Sequence, residues 1–64
     1  MNSTTLRNSS GQTIGFLYYL GNHRTEIRNA VGLVLGWHNP TSDITYQANG
    51  VMVGRGNLLT FLLS

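Results

Sequence analysis

Few side chains in this 64-residue sequence could take part in chemistry near neutral pH. His23 and His38 are candidates for a general base, and Asp43 could orient one of them toward a serine nucleophile. No nucleophile elbow or comparable motif accompanies these residues, and histidines in turn-rich segments are usually solvated. We therefore predict that the protein is not an enzyme and has no catalytic residues.

The sequence also lacks a recognisable pattern for a metal or cofactor site. The chain has no cysteine, and two histidines without a third ligand at suitable spacing do not form a metal site. The glycine-rich segment 54–57 is not followed by the lysine and the serine or threonine of a phosphate-binding loop, so it is typical of a turn. We predict no metal and no cofactor.

Aromatic and arginine side chains are the remaining candidates for ligand contact. Trp37, Tyr18, Tyr19 and Arg28 are of the kinds that stack on the bases of single-stranded nucleic acid or on sugars. Large aromatic residues in β-structure more often act as core or interface anchors, and the net charge of +2 is too small to indicate nucleic acid. The sequence thus favours packing, with a binding module for single-stranded nucleic acid or glycan as the alternative.

A motif that occurs three times predicts the elements that position these residues. Each copy has a turn ending in glycine, three residues of which the last is apolar, and a second glycine. The copies occupy residues 8–15, 29–36 and 47–54, and their turn glycines are Gly11, Gly32 and Gly50. Self-similarity at a period of this size indicates that one supersecondary unit is repeated along the chain.

Each copy of the motif predicts two strands joined by a tight turn. Asparagine followed three residues later by glycine is typical of a type I turn closed by a residue with positive φ, which joins hairpin strands. A glycine inside an apolar strand marks a bulge, a bend, or the close approach of another backbone. We therefore predict an all-β fold of short antiparallel hairpins, with three G-x-x-h-G units in a single domain over residues 1–64.

The individual strands follow from apolar runs between the turns. A helix over residues 22–34 also fits the apolar spacing, but Gly32 and the alignment with the first copy oppose it. Pro40 lies in the clearest loop, over residues 38–43. The predicted strands cover residues 4–7, 12–20, 25–28, 33–35, 44–47, 51–53 and 58–63.

Length and composition favour self-association. A 64-residue domain without disulfides is marginal as a monomer, and only 9% of its residues are charged against about 25% in a typical domain. Several predicted strands are apolar on both faces, and burial against other copies would cover them. We predict a structural protein that assembles with copies of itself into a homo-oligomer or a filament. The predicted self-association residues are those of the apolar C-terminus: Leu58, Leu59, Phe61, Leu62 and Leu63.

The repeated units resemble the bacterial four-fold β-flower domains, which are small β-repeat proteins. The resemblance covers about residues 4–54 and is carried by the glycine pairs at 11 and 15, 32 and 36, and 50 and 54. It implies hairpins arranged about a pseudo-symmetry axis and no settled activity. Three units are clear here and the usual aspartate at the turn start is absent, so a fourth unit is expected from the chain ends or from another chain.

The N-terminus and the apolar stretches do not indicate the cellular compartment of the protein. The first five residues are polar, so no signal peptide is visible. The longest apolar stretches, at residues 14–20 and 58–63, are too short for a membrane-spanning helix. We make no prediction of localisation.

Overall fold

The computed structural model describes residues 2–21 and 24–63, which form one six-stranded sheet and one short 3-10 helix. The sheet is antiparallel throughout and its strands are neighbours in chain order. The all-β fold of antiparallel hairpins is thus confirmed, and the alternative helix is wrong for residues 24–34, the described part of its range. The elements are β1 (Asn2–Arg7), β2 (Thr13–Tyr19), β3 (Thr25–Asn29), β4 (Val34–Asn39), β5 (Ile44–Gln47), β6 (Met52–Arg55) and the C-terminal helix (Leu59–Leu63).

The turns β1–β2, β3–β4 and β5–β6 close with similar hydrogen bonds. In the first, the Gly11 amide donates to the Asn8 carbonyl at 3.0 Å, and the Asn8 side chain accepts from the amides of Ser10 and Gln12. The β3–β4 turn has the corresponding bonds at Asn29, and the β5–β6 turn keeps the backbone bond of Gly50 to Gln47. The turn glycines have φ of 83°, 91° and 90°, a region that other residues enter at a cost.

The second glycine of each motif lies within a strand, beside a break in the strand register. The register shifts after Leu6, Ile27 and Thr45, at the residue that pairs with the second glycine of each motif. One extra residue therefore bulges from β2, β4 and β6 immediately before Gly15, Gly36 and Gly54. These glycines are thus neighbours of bulges inside strands, and a bulge is one of the three roles that the sequence allowed for them.

The C-terminus is a correction to the sequence prediction, because it forms the 3-10 helix Leu59–Leu63 and no seventh strand. The Asn57 side chain accepts a hydrogen bond from the Leu59 amide at 3.2 Å, and the Phe61 amide donates to the Leu58 carbonyl at 3.1 Å. A run of six nearly uniform apolar residues has no polar alternation, so its sequence does not distinguish strand from helix.

Leu58 and the leucines of this helix pack on one side of the sheet, here named the leucine face. An added Cβ at Gly15 would lie 2.8 Å from Leu63, and one at Gly54 would lie 2.9 Å from Leu58. Gly36 lies under Leu62 in the same way. The absence of a side chain at these three glycines thus leaves room for three leucines.

The core lies between the leucine face and the C-terminal helix. Ile27 and Leu59 are its fully buried apolar side chains, at 0% and 1% exposure. Thr45 is also fully buried, and its hydroxyl donates to the Gly56 carbonyl at 2.6 Å and accepts from the Leu58 amide at 3.0 Å. These two bonds tie the segment before the helix to β5, so the fold consists of one sheet with one face covered.

Candidate functional site: the arginine face

The side of the sheet opposite the leucine face carries a row of paired aromatic and charged residues, and is named the arginine face. Its central row runs across four strands, because Tyr18 pairs with Glu26, Glu26 with Trp37, and Trp37 with Tyr46. Directly opposed residues in antiparallel strands point to the same side of a sheet. The register of the strands therefore places these four side chains on one face.

Glu26 is the centre of this row. Its side chain is only 8% exposed, and its Oε1 accepts a hydrogen bond from Arg28 Nε at 2.8 Å and forms an ion pair with Arg28 Nη2 at 2.6 Å. The guanidinium of Arg28 also lies over the Tyr18 ring, 4.5 Å from its centroid. A two-point contact with a carboxylate and a stacking contact with a ring hold the guanidinium in one orientation.

Arg24 occupies the corresponding position on the other side of Glu26. Its guanidinium lies 4.8 Å from the Trp37 ring centroid, and the Trp37 and Tyr46 rings stack with centroids 5.4 Å apart. Its ion pair with Glu26 is long, at 4.0 Å, and its side chain is 43% exposed. Arg24 is therefore more loosely held than Arg28 and more accessible to a ligand.

Strand alternation also brings the two other arginines to this face. Arg55 follows Gly54, and Arg7 follows Leu6, both of which lie on the leucine face by their pairing. Successive side chains alternate between the faces of a strand, so Arg7 and Arg55 belong to the arginine face. All four basic residues of the chain thus share one face, opposed there only by Glu26, which leaves a local excess of three positive charges.

The structure brings together three of the four residues that the sequence suggested for ligand contact. Trp37, Tyr18 and Arg28 lie on the arginine face within the same row of contacts. Tyr19 lies on the opposite face, where its hydroxyl is 3.1 Å from the Thr4 hydroxyl. Two adjacent tyrosines on one strand necessarily point to opposite faces.

The suggested self-association residues lie mostly against the chain's own sheet. Leu59 is buried, and Leu58, Leu62 and Leu63 lie over the in-strand glycines. Phe61 points outward and is 68% exposed. Four of the five residues therefore cover the leucine face from within the chain, and self-association through them stays a prediction.

Of the two histidine candidates, the structure describes the surroundings of His38. His38 Nε2 lies 3.0 Å from Asp43 Oδ1, and this pair is on the leucine-face side of β4 and its following turn. His23 lies outside the described residues. Among residues 2–21 and 24–63, no group of three or more His, Cys, Asp or Glu side chains could hold a metal ion.

Arg24 and Glu26 are members of the row that sequence reasoning did not assign to a site. A signal for them is present, because Arg24, Glu26 and Arg28 alternate from the residue before the predicted strand 25–28 to its last residue. A spacing of two places all three charges on the same side of a strand. In the sequence, the negative charge of Glu26 lies between the two positive charges, and in the structure Glu26 pairs with both arginines.

No family model, curated protein or solved structure matches this chain. In the part of the chain that the structure describes, no helix has both the length and the apolar character needed to cross a membrane.

Proposed function

We propose that the protein is a structural subunit that self-associates by pairing of sheet edges between copies. The observation that carries the proposal is the open sheet, in which β1 and β6 each have one paired neighbour among the described strands. An edge strand presents a row of unpaired backbone amides and carbonyls on its outer side. Pairing with another chain satisfies these groups and extends the sheet.

The directions of the edge strands suit a head-to-tail contact. Every neighbouring pair in the sheet is antiparallel, so β1 and β6 run in opposite directions. A second copy placed beside the first in the same orientation therefore brings its β1 antiparallel to β6. Such a contact is heterologous, and it produces a ring if it closes and a filament if it does not.

The edges carry few of the features that prevent edge pairing. From residue 2 to residue 6, β1 has no charged residue and no proline, and its exposed side chains are small and polar. Beside the other edge, Val51 and Met52 are exposed by more than half. Natural edge strands are commonly protected by lysine, proline or a covering element. Exposed apolar side chains beside an edge strand favour association.

The proposal also accounts for the number of hairpins. The three hairpins share a turn geometry and a bulge position, so we treat them as three copies of one unit, as in the β-flower resemblance. The described C-terminus forms a helix, so it supplies no fourth hairpin. In the proposed assembly, a hairpin of the neighbouring copy takes that place.

Light scattering over a dilution series tests the proposal. We expect a mass that is a multiple of the 7.0 kDa chain mass and that decreases on dilution. Replacing Ser3 and Thr5 by lysine places charges on the outer strand β1 and is expected to shift the population to monomer. The control replaces Ser9 and Ser10 by lysine, which adds the same charge at the β1–β2 turn and away from the edge.

The control variant is expected to keep the oligomer mass of the native chain. A native chain that stays at 7.0 kDa at every concentration contradicts the proposal. Equal dissociation of both variants would also contradict it, because general repulsion and not edge pairing would then explain the change.

A further inference from the structure

We propose that the arginine face binds single-stranded nucleic acid, with its arginines on the phosphates. This site is separate from the sheet edges and does not depend on the proposed self-association. It rests on the placement of all four arginines on one face together with Phe16, Tyr18, Trp37 and Tyr46. Basic side chains for the phosphates together with aromatic side chains for the bases are the combination that single-strand binders use.

The distribution of charge is the first reason. The whole chain has a net charge of only +2, but the arginine face has four arginines against the one carboxylate of Glu26. The other acidic residue, Asp43, contacts His38 on the opposite side. The face is therefore more positive than the protein as a whole, which makes it complementary to a polyanion.

The dimensions of the face suit a short stretch of single strand. Arg7 lies on one edge strand and Arg55 on the other, with Arg24 and Arg28 near the middle. Five strand spacings of about 4.8 Å separate the two edges by roughly 24 Å. Arg7 lies beside the β1–β2 turn and Arg55 lies toward the opposite end of the strands, so a nucleic acid strand that crosses the sheet diagonally would meet arginines at both edges and at the centre.

The stacking contacts on this face define which groups remain for the ligand. The Trp37 ring stacks on Tyr46, and the Arg24 guanidinium lies over Trp37. The proposed binding therefore does not require a base to insert between Trp37 and either of these neighbours. The Arg24 guanidinium is itself planar and 43% exposed, and arginine planes stack on bases as well as binding phosphates. We therefore assign Arg24 the central contact and Arg28 the role of fixing Glu26 beside it.

The shape of the face favours a single strand over a duplex. Reading a duplex groove requires a helix or a protruding two-stranded ribbon, and the arginine face is the side of a continuous six-stranded sheet. A sheet face offers a wide surface on which an unpaired strand can lie with its bases turned toward side chains.

Trp37 fluorescence provides a direct measurement, because Trp37 is the single tryptophan of the chain. The probe is a single-stranded DNA oligonucleotide of about 12 nucleotides, within the usual ~4–16-nucleotide site size of a single-strand-binding domain. We expect the oligonucleotide to quench Trp37 emission. With three phosphate contacts, affinity should fall about 20-fold between about 50 mM and about 200 mM salt.

Two arginine variants and one matched control locate the contact. Arg24→Gln and Arg55→Gln each remove one positive charge from the face and should each weaken binding roughly fivefold and flatten the salt dependence by about 0.7 in the log–log slope. Asp43→Asn raises the net charge by one unit away from the face and should leave the affinity unchanged. Asparagine also suits the φ of 56° at this position, so the turn is kept.

The outcomes separate the proposal from its alternatives. Binding that is weakened about fivefold in both arginine variants and unchanged in Asp43→Asn supports it. Binding that follows total net charge, equal binding of duplex DNA, or binding to anionic lipid vesicles without binding to the oligonucleotide would overturn it. No quenching at low salt would overturn it as well. The scattering mass of each variant, measured in parallel, shows whether self-association is unaffected.

Discussion

The two faces of the sheet are stabilised by different means. The leucine face is covered by the chain's own C-terminal helix, and its contacts are apolar and perpendicular to the sheet. The arginine face has contacts that run parallel to the sheet, from ring to guanidinium to carboxylate across neighbouring strands. One face is thus stabilised by exclusion of water, and the other by cross-strand pairing.

The difference follows from the size of the chain. A 64-residue domain has too few apolar residues to cover both faces of a six-stranded sheet. Apolar packing requires a second layer, whereas cross-strand pairs need only their neighbours in the same sheet. We therefore expect substitutions on the leucine face to cost more stability than substitutions on the arginine face.

The largest effect is expected at Leu59. Its side chain is 1% exposed between the sheet and the helix, so Leu59→Ala removes apolar burial and leaves a cavity. We expect a loss of about 3 kcal/mol in the free energy of unfolding, measured by chemical denaturation. Phe61→Ala on the same helix, at an exposed position, is the control and should cost less than about 1 kcal/mol. Similar losses in the two variants would show that the helix does not pack as described.

The next largest effect is expected at Gly36. An added Cβ would collide with the backbone carbonyl oxygen of Tyr46 and lie 2.6 Å from Leu62 Cδ1. Because the backbone of a paired strand cannot shift easily, Gly36→Ala should cost about 2 kcal/mol in the same assay. Gly54→Ala, where the near atom is the end of the Leu58 side chain at 2.9 Å, should cost about half as much or less. The reverse order would contradict the assignment of a tighter contact at Gly36.

A smaller effect is expected at Glu26 on the arginine face. Glu26→Gln keeps the size of the side chain and removes its charge, so Arg28 loses its ionic partner. Arg28 is about one-third exposed, and water compensates part of the loss. We expect a cost of about 1 kcal/mol that decreases at high salt. A cost that does not change with salt would show that packing of Glu26, and not its charge, stabilises the row.

The smallest effect on stability is expected at Arg24. Its ion pair with Glu26 is 4.0 Å long and its side chain is 43% exposed, so Arg24→Gln should cost less than about 0.5 kcal/mol. Trp37 emission should nevertheless shift, because a guanidinium over the indole is removed. If Arg24→Gln lowers the free energy of unfolding as much as Leu59→Ala does, the expectation that the leucine face contributes more to stability than the arginine face is wrong.

The hairpins could be predicted from the sequence because their signals are local. Asn8 and Gly11, and likewise Asn29 and Gly32, fix their turns through bonds within five residues. The sequence also shows that the second glycine of each motif has a structural role, but it does not show which packing contact requires a glycine there. The leucines that require them are far away in sequence, as Leu63 is from Gly15.

The candidate site was predicted only in part. Trp37, Tyr18 and Arg28 were singled out by residue type, and alternation along a strand separates Tyr19 from them. Glu26 was not assigned to the site, although the spacing of Arg24, Glu26 and Arg28 places all three on one side of an extended segment. The position of these three residues beside Trp37 depends on the register between β3 and β4.

The sequence by itself determined the strand-and-turn pattern, since asparagine, glycine and alternation act over a few residues. The tertiary structure decided the form of the C-terminus, because a leucine run takes the conformation that its burial site requires. The tertiary structure also decided that the positive charges lie on one face of the sheet. A bulge changes which side chains share a face, and only the paired register shows that all four arginines lie opposite the leucines.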